Sequence, residues 1–259
     1  MRILVLTIFP EMFDGLWSHG MVRRAIEQQA ISAAALNIRD FADDRHHVTD
    51  DRPYGGGNGM VMKPEPLAAS IRHARQMAPE ARTILMTPQG RVFNQALARE
   101  LAALKGLILV CGRYEGVDDR LCHDLISDEL SVGDYVLTGG EIAAMAVIDA
   151  VTRLIPGVLG GEDSAARDSF SDGLIEHAHY TRPPVFEGAE VPEVLLSGHH
   201  GNIERWRLES SLMRTLVNRP DLLQERALTA EEAEILRRWH AHLGELVGGR
   251  TDAPGRKRR

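Results

Sequence analysis

Short apolar runs alternate, through the first half of the chain, with stretches in which apolar residues recur every three or four positions. Runs at residues 3–9, 82–87 and 107–111, with a fourth at 134–137, predict strands. Helical spacing over 11–29, 65–77, 94–104 and 140–154 predicts helices between them. This alternation predicts an α/β fold, a mostly parallel sheet covered by helices on both faces. In the last of these helices Ile142, Ala143, Ala144, Met145, Ala146, Val147, Ile148, Ala150 and Val151 leave almost no polar side. A helix apolar all round is expected to be buried all round, inside one domain or against a second copy of the chain.

After Pro156 the pattern dissolves. Residues 157–173 are rich in Gly, Ser and Asp without periodicity and predict a mobile linker. Helical patterns return at 200–217 and 230–246, the latter opened by Thr229 and Glu232 at capping-box spacing. The expected organisation is a first domain over 1–160, a linker over 161–175, a helical domain over 176–247 and a disordered basic tail over 248–259, ending Arg256-Lys257-Arg258-Arg259.

Composition narrows the class. With 259 residues, 44% hydrophobic and 26% charged, the chain reads as globular, and aromatics at 5% leave the core to aliphatic side chains and alanine. The net charge of −7 does not advertise a nucleic-acid binder, but a local basic face is compatible with it, since Asp40, Asp43, Asp44, Asp50 and Asp51 concentrate much of the acid. Cys111 and Cys122 offer neither zinc spacing nor a disulfide framework. The first apolar run is too short to span a bilayer and lacks a cleavage-type site, so a reducing cytoplasm is the expected setting and no membrane partner is expected.

Three glycine-bearing loops follow strands: Thr87-Pro88-Gln89-Gly90, Gly112-Arg113-Tyr114-Glu115-Gly116, and the stretch from Val132-Gly133-Asp134-Tyr135 through Leu137 to Thr138-Gly139-Gly140-Glu141. In an open parallel sheet such loops converge on a ligand crevice, and glycines let backbone approach a flat ligand. None is followed by Gly-Lys-Ser/Thr, which excludes a P-loop. The segment Gly55-Gly56-Gly57-Asn58-Gly59-Met60 is no dinucleotide fingerprint, because Met62 stands where its last glycine belongs. A nucleoside ligand without phosphates remains open.

These loops, taken with Asp51-Arg52-Pro53-Tyr54-Gly55-Gly56-Gly57, Pro156-Gly157-Val158-Leu159-Gly160, Asp168-Ser169-Phe170, His179-Tyr180-Thr181-Arg182-Pro183 and Leu195-Leu196-Ser197-Gly198-His199, resemble the bacterial tRNA (guanine-N1)-methyltransferase (TrmD) family. The resemblance runs in order from the first strand to about Leu246. It implies a SPOUT-type domain with a deep trefoil knot in its sheet, an exception to the rule that chains are unknotted. It further implies a small helical C-terminal domain, a homodimer with active sites shared between subunits, and S-adenosyl-L-methionine held in the knot. The expected cofactor residues are Thr87, Pro88, Gln89, Gly90, Gly112, Arg113, Tyr114, Glu115, Val132, Gly133, Tyr135, Leu137, Gly139 and Gly140.

Methyl transfer from a sulfonium has a neutral leaving group, so the difficulty lies with guanine N1, which must lose a proton while charge grows on O6. The resemblance implies Asp168 as the base and Arg153 at O6, where a guanidinium offers several donors and stays charged. It also implies a magnesium dependence tied to Glu115, with Glu176 as an acidic partner. Arg167 departs from the family pattern, which carries an acid directly before the aspartate. For tRNA, Ser197, Gly198, His199, Asn202, Arg205, Arg207 and Arg214 lie on or beside one helix pattern. Trp206 is placed either on a base or in the small domain's core. The alternatives are a knotted methyltransferase for another RNA base and a non-catalytic RNA-binding relative.

Overall fold

The computed structural model describes residues 1–160 and 168–251, with side chains through Val247. Arg167 and residues 252–259 lie outside the described residues, whereas residues 248–251, expected in the disordered tail, continue the last helix. Two units are distinguished, Met1–Ala165 and Ala166–Arg259.

The first unit is built on a five-stranded sheet of β1 (Arg2–Thr7), β2 (Ser32–Asn37), β3 (Ala81–Val92), β4 (Gly106–Cys111) and β5 (Asp128–Ser131), in the spatial order β2-β1-β4-β3-β5. Every pairing is parallel. Parallel strands covered on both faces read as continuous apolar runs, as β1 and β4 do. The alternation is visible in which core each residue joins. Ile3, Val5, Leu107, Leu109 and Cys111 enter one core, with helices α1 (Gly20–Glu27), α3 (Gln95–Ala102) and α4 (Glu141–Thr152). Leu4, Leu6, Ile108 and Val110 enter the other, with α2 (Pro64–Met77).

Two predicted elements are corrected, and two strands lie outside the predicted runs. Residues 134–137 are not a strand: Gly133 has φ of +144° and Tyr135 N–H donates back to Gly133 O at 2.9 Å, which turns the chain. The fifth strand lies earlier, at Asp128–Ser131. The edge strand β2, Ser-Ala-Ala-Ala-Leu-Asn, escaped notice because alanine gives no β signal. The helix expected over 11–29 is broken at His19, whose backbone is extended, and Gly20, whose φ is +65°.

The second unit is small and helical, with α5 (His200–Asn218) and α6 (Ala230–Thr251) around buried Leu174, Leu212 and Ile235. The capping box at the start of α6 is present in both directions. Thr229 N–H donates to Glu232 Oε2 at 2.8 Å and Glu232 N–H to Thr229 Oγ1 at 3.2 Å. From Asp168 onward the segment ahead of α5 is fastened to it: Ile175 N–H donates to Thr215 Oγ1 at 2.8 Å, and Ala178 N–H to Ser210 Oγ at 3.0 Å.

Candidate active site

Three chain segments meet at the carboxyl end of the sheet and enclose a cleft of about 360 Å³, within the range of small-ligand sites. Of the expected cofactor residues, Thr87, Pro88, Gln89, Gly112, Arg113, Tyr114, Glu115, Val132, Gly133, Tyr135, Leu137, Gly139 and Gly140 line it. Gly90 does not. It lies inside β3, where a Cβ would run into the backbone of Glu129 and Leu130, so its glycine serves the contact with β5. The lining also includes Asp119, Cys122 and Thr138, which the sequence reading did not select.

Two of these segments are locked to each other by backbone. Gly140 N–H donates to Gly112 O at 2.9 Å, and Arg113 bridges Gly139 in antiparallel fashion. A Cβ on Gly140 would stand 2.8 Å from Cys111 Cα and 2.9 Å from Met86 Cβ, so only glycine permits this approach. Glu115 packs against the earlier glycine-dense loop: its side chain lies over Gly59, and its N–H donates to Met60 O at 3.0 Å.

One polar network beneath the cleft was not foreseen. Glu141, fully buried at the first position of α4, accepts from Thr7 Oγ1 at 2.7 Å and pairs with Arg113 Nε at 2.9 Å. The Arg113 guanidinium also lies 4.7 Å from the centre of the Phe9 ring. A charge heading a largely apolar helix is the signal in the sequence, since a buried carboxylate requires a partner.

Arg153 caps the C-terminal end of α4, half-buried, and belongs to the first unit; Asp168 belongs to the second, half-buried, its carbonyl accepting from Ser171 N–H at 3.0 Å. Both cysteine thiols are held in the protonated form more firmly than a free thiol. Burial, reinforced by Glu141, pushes the Cys111 thiol well above its ordinary range, and burial with Glu129 nearby pushes Cys122 up to about 11.

The expected tRNA residues lie at the start of α5 and along it, with Arg205 and Arg207 on different sides of the helix. Ser197 Oγ accepts from His199 N–H at 3.2 Å, Gly198 has φ of +72°, and Asn202 and Arg214 are exposed. Arg205 pairs with Glu209 at 3.3 Å and Arg207 with Glu204 at 2.7 Å. Pairs this exposed contribute little, so an RNA phosphate can compete for these arginines. Trp206 is neither free nor core: half-buried, its ring lies 6.1 Å from Tyr180 and 6.3 Å from His177.

The family model described as tRNA (Guanine-1)-methyltransferase TrmD matches residues 1–225. The chain belongs to this family. A tRNA (guanine-N(1)-)-methyltransferase of Desulfatibacillum aliphaticivorans is 56% identical over 247 residues, covering 95% of this chain and 94% of its own. That of Geotalea uraniireducens is 56% identical over 236 residues, covering 91% and 96%. That of Desulforamulus reducens is 53% identical over 238 residues, covering 91% and 94%.

The family implies S-adenosylmethionine, and the cleft fits it. It offers backbone groups, small residues and the exposed rings of Tyr114 and Tyr135, with no phosphate-binding lysine. Magnesium is a different matter. Glu115 belongs to the first unit and Glu176 to the second. Among the described residues the one gathering of three potential ligands, Glu176, His177 and His179, supplies two imidazoles and one carboxylate rather than the oxygens magnesium prefers. That donor set does not fit magnesium.

Proposed function

We propose that this chain methylates N1 of the guanosine at tRNA position 37, beside the anticodon, with S-adenosylmethionine as donor. The observation that carries the proposal is the cleft itself, lined by three segments at the carboxyl end of a parallel sheet, two of them joined backbone to backbone, in a chain of the tRNA (guanine-1)-methyltransferase family. When bound, the cofactor supplies a methyl group on a sulfonium whose departure leaves a neutral thioether. Residues 87–89, 112–115 and 132–140 hold it, mainly through backbone groups, and exclude water from it.

The remaining chemistry falls to side chains. The Asp168 carboxylate takes the proton from guanine N1, and the Arg153 guanidinium donates to O6 as charge accumulates there. Removing that proton converts a poor nucleophile into one able to accept a methyl in line. The surface around Ser197, Gly198, His199, Asn202, Arg205, Arg207 and Arg214 binds the tRNA, arginines to phosphates and Trp206 with Tyr180 toward unstacked bases.

The working form in this proposal is a homodimer in which Asp168 of one protomer serves the cofactor cleft of its partner. Its support is α4, where Ile142, Met145, Ala146 and Ala150, with Asp149 among them, form a stripe left unburied beside the buried Ala143, Ala144, Val147 and Val151. Ile142 is 55% exposed and stands at the head of this stripe. The same reading gives the sheet a trefoil knot at the cleft loops and places the enzyme in the cytoplasm. The described residues contain no helix long and apolar enough to cross a membrane. Incubation with tRNA and methyl-labelled cofactor, followed by mapping of the modified nucleotide, tests the proposal.

A further inference from the structure

We propose that Glu176, His177 and His179 form a binding site for a divalent transition-metal ion of the zinc class. One donor atom from each lies within 4.8 Å of the others. Two imidazoles and one carboxylate are a borderline donor set, suited to zinc, cobalt or nickel rather than to magnesium or calcium. His179 Nε2 and Glu176 Oε1 stand 3.0 Å apart. Two ligands at bond lengths of about 2.1 Å on a tetrahedral ion lie about 3.4 Å apart, so these two side chains admit an ion by separating a few tenths of an ångström.

Two further features make this more than a chance gathering of surface histidines. The Nδ1 of His177 lies 3.1 Å from Ala178 O. A ring N–H donated to a backbone carbonyl fixes the tautomer and leaves the opposite nitrogen with its lone pair, the arrangement typical of metal-binding histidines. The backbone bearing the three ligands is also held in advance. Glu176 N–H donates to Ser169 Oγ at 3.0 Å, Ala178 N–H to Ser210 Oγ at 3.0 Å, and Ile175 N–H to Thr215 Oγ1 at 2.8 Å. A metal therefore meets a formed scaffold, with only side-chain torsions left to settle. The partial exposure of His179 and Glu176 gives an entry path and room for a water as fourth ligand.

The inference is independent of the proposed reaction and is read by binding alone. Untagged full-length protein is titrated with zinc by calorimetry, and with cobalt by visible absorption, whose intensity reports a tetrahedral or otherwise low-symmetry site. The expected result is one ion per chain, undiminished by millimolar magnesium. His177→Gln and His179→Gln each weaken binding by at least about tenfold, since even loss of an outer partner costs ten- to a hundredfold. Circular dichroism establishes that both variants are folded. The double variant His46→Gln/His47→Gln, at exposed histidines elsewhere, retains wild-type affinity. Absence of stoichiometric binding by the wild type, or equal affinity in His177→Gln/His179→Gln, overturns the proposal.

Discussion

Arg113 and Glu141 meet beneath the cleft as a charge pair at 2.9 Å whose acid is fully buried. Because the second oxygen of Glu141 accepts from Thr7, one carboxylate fastens the end of β1 and the loop after β4 to the first turn of α4. The acid also sits where the helix dipole favours negative charge. Its removal leaves Arg113 mostly buried without its counter-charge. Glu141→Gln, which keeps the shape and loses the charge, is expected to cost about 2 kcal/mol in urea unfolding. It should also weaken cofactor binding, because Arg113 lines the cleft. Unchanged stability and affinity in calorimetry would show the pair to be incidental.

Glycines 112 and 140 both line the cleft but are held there for different reasons. A methyl on Gly140 meets Cys111 Cα at 2.8 Å, whereas on Gly112 its nearest neighbour is the flexible end of Val117, at 3.6 Å. Gly140→Ala should therefore destabilise by about 1–3 kcal/mol through overpacking, and Gly112→Ala should leave stability near wild type. Denaturant midpoints of the two variants decide this. Equal effects contradict the packing argument.

The C-terminal unit has an acid-sensitive clasp. Burial works to raise the carboxyl of Glu232, but the hydrogen bonds from Arg226 and from Thr229 N–H outweigh it and hold the carboxyl below its ordinary value. A carboxyl depressed on folding stabilises the protein above its unfolded value, about 4.3, and that stability is lost as pH falls through the folded value. Wild type should therefore lose stability below about pH 4 more steeply than Glu232→Gln. Thr229→Ala, which removes the reciprocal half of the box, should cost about 1 kcal/mol at neutral pH. Unfolding followed by circular dichroism at pH 7 and pH 3.5 checks both.

Much of this was legible beforehand, and the failures have physical causes. The runs of β1 and β4 announced buried parallel strands because both faces of each are covered. The three glycine-bearing loops announced a cleft, and all but Gly90 of the expected residues line it. The segment 134–137 misled because Tyr135, Val136 and Leu137 are good strand formers, while the conformation of Gly133 decides the outcome. Thr7 and Glu141 are 134 residues apart, and no local pattern joins them. His177 and His179 went unselected as ligands for a similar reason, since their arrangement depends on hydroxyls of Ser169, Ser210 and Thr215.

For the base, Asp168→Asn should lower turnover by at least about a hundredfold while calorimetric cofactor binding persists. The shared site adds a sharper test. Thr138 is exposed and lines the cleft, so Thr138→Arg obstructs it without disturbing the core. Homodimers of Thr138→Arg and of Asp168→Ala should both be inactive. Random mixing gives mixed dimers in about half the population, each with one site combining an intact cleft and an intact base, so about a quarter of wild-type activity should return. If each site lies within one chain, mixing restores none.

The central claim is the identity of the methylated atom. Purified protein, unmodified tRNA carrying guanosine at position 37 and methyl-labelled S-adenosylmethionine are incubated together, and the product is digested and mapped by mass spectrometry. The account predicts one methyl per tRNA, on N1 of guanosine 37, with tRNA carrying adenosine there left unlabelled. Label on another base or another position, or no label on tRNA despite cofactor binding, would contradict it.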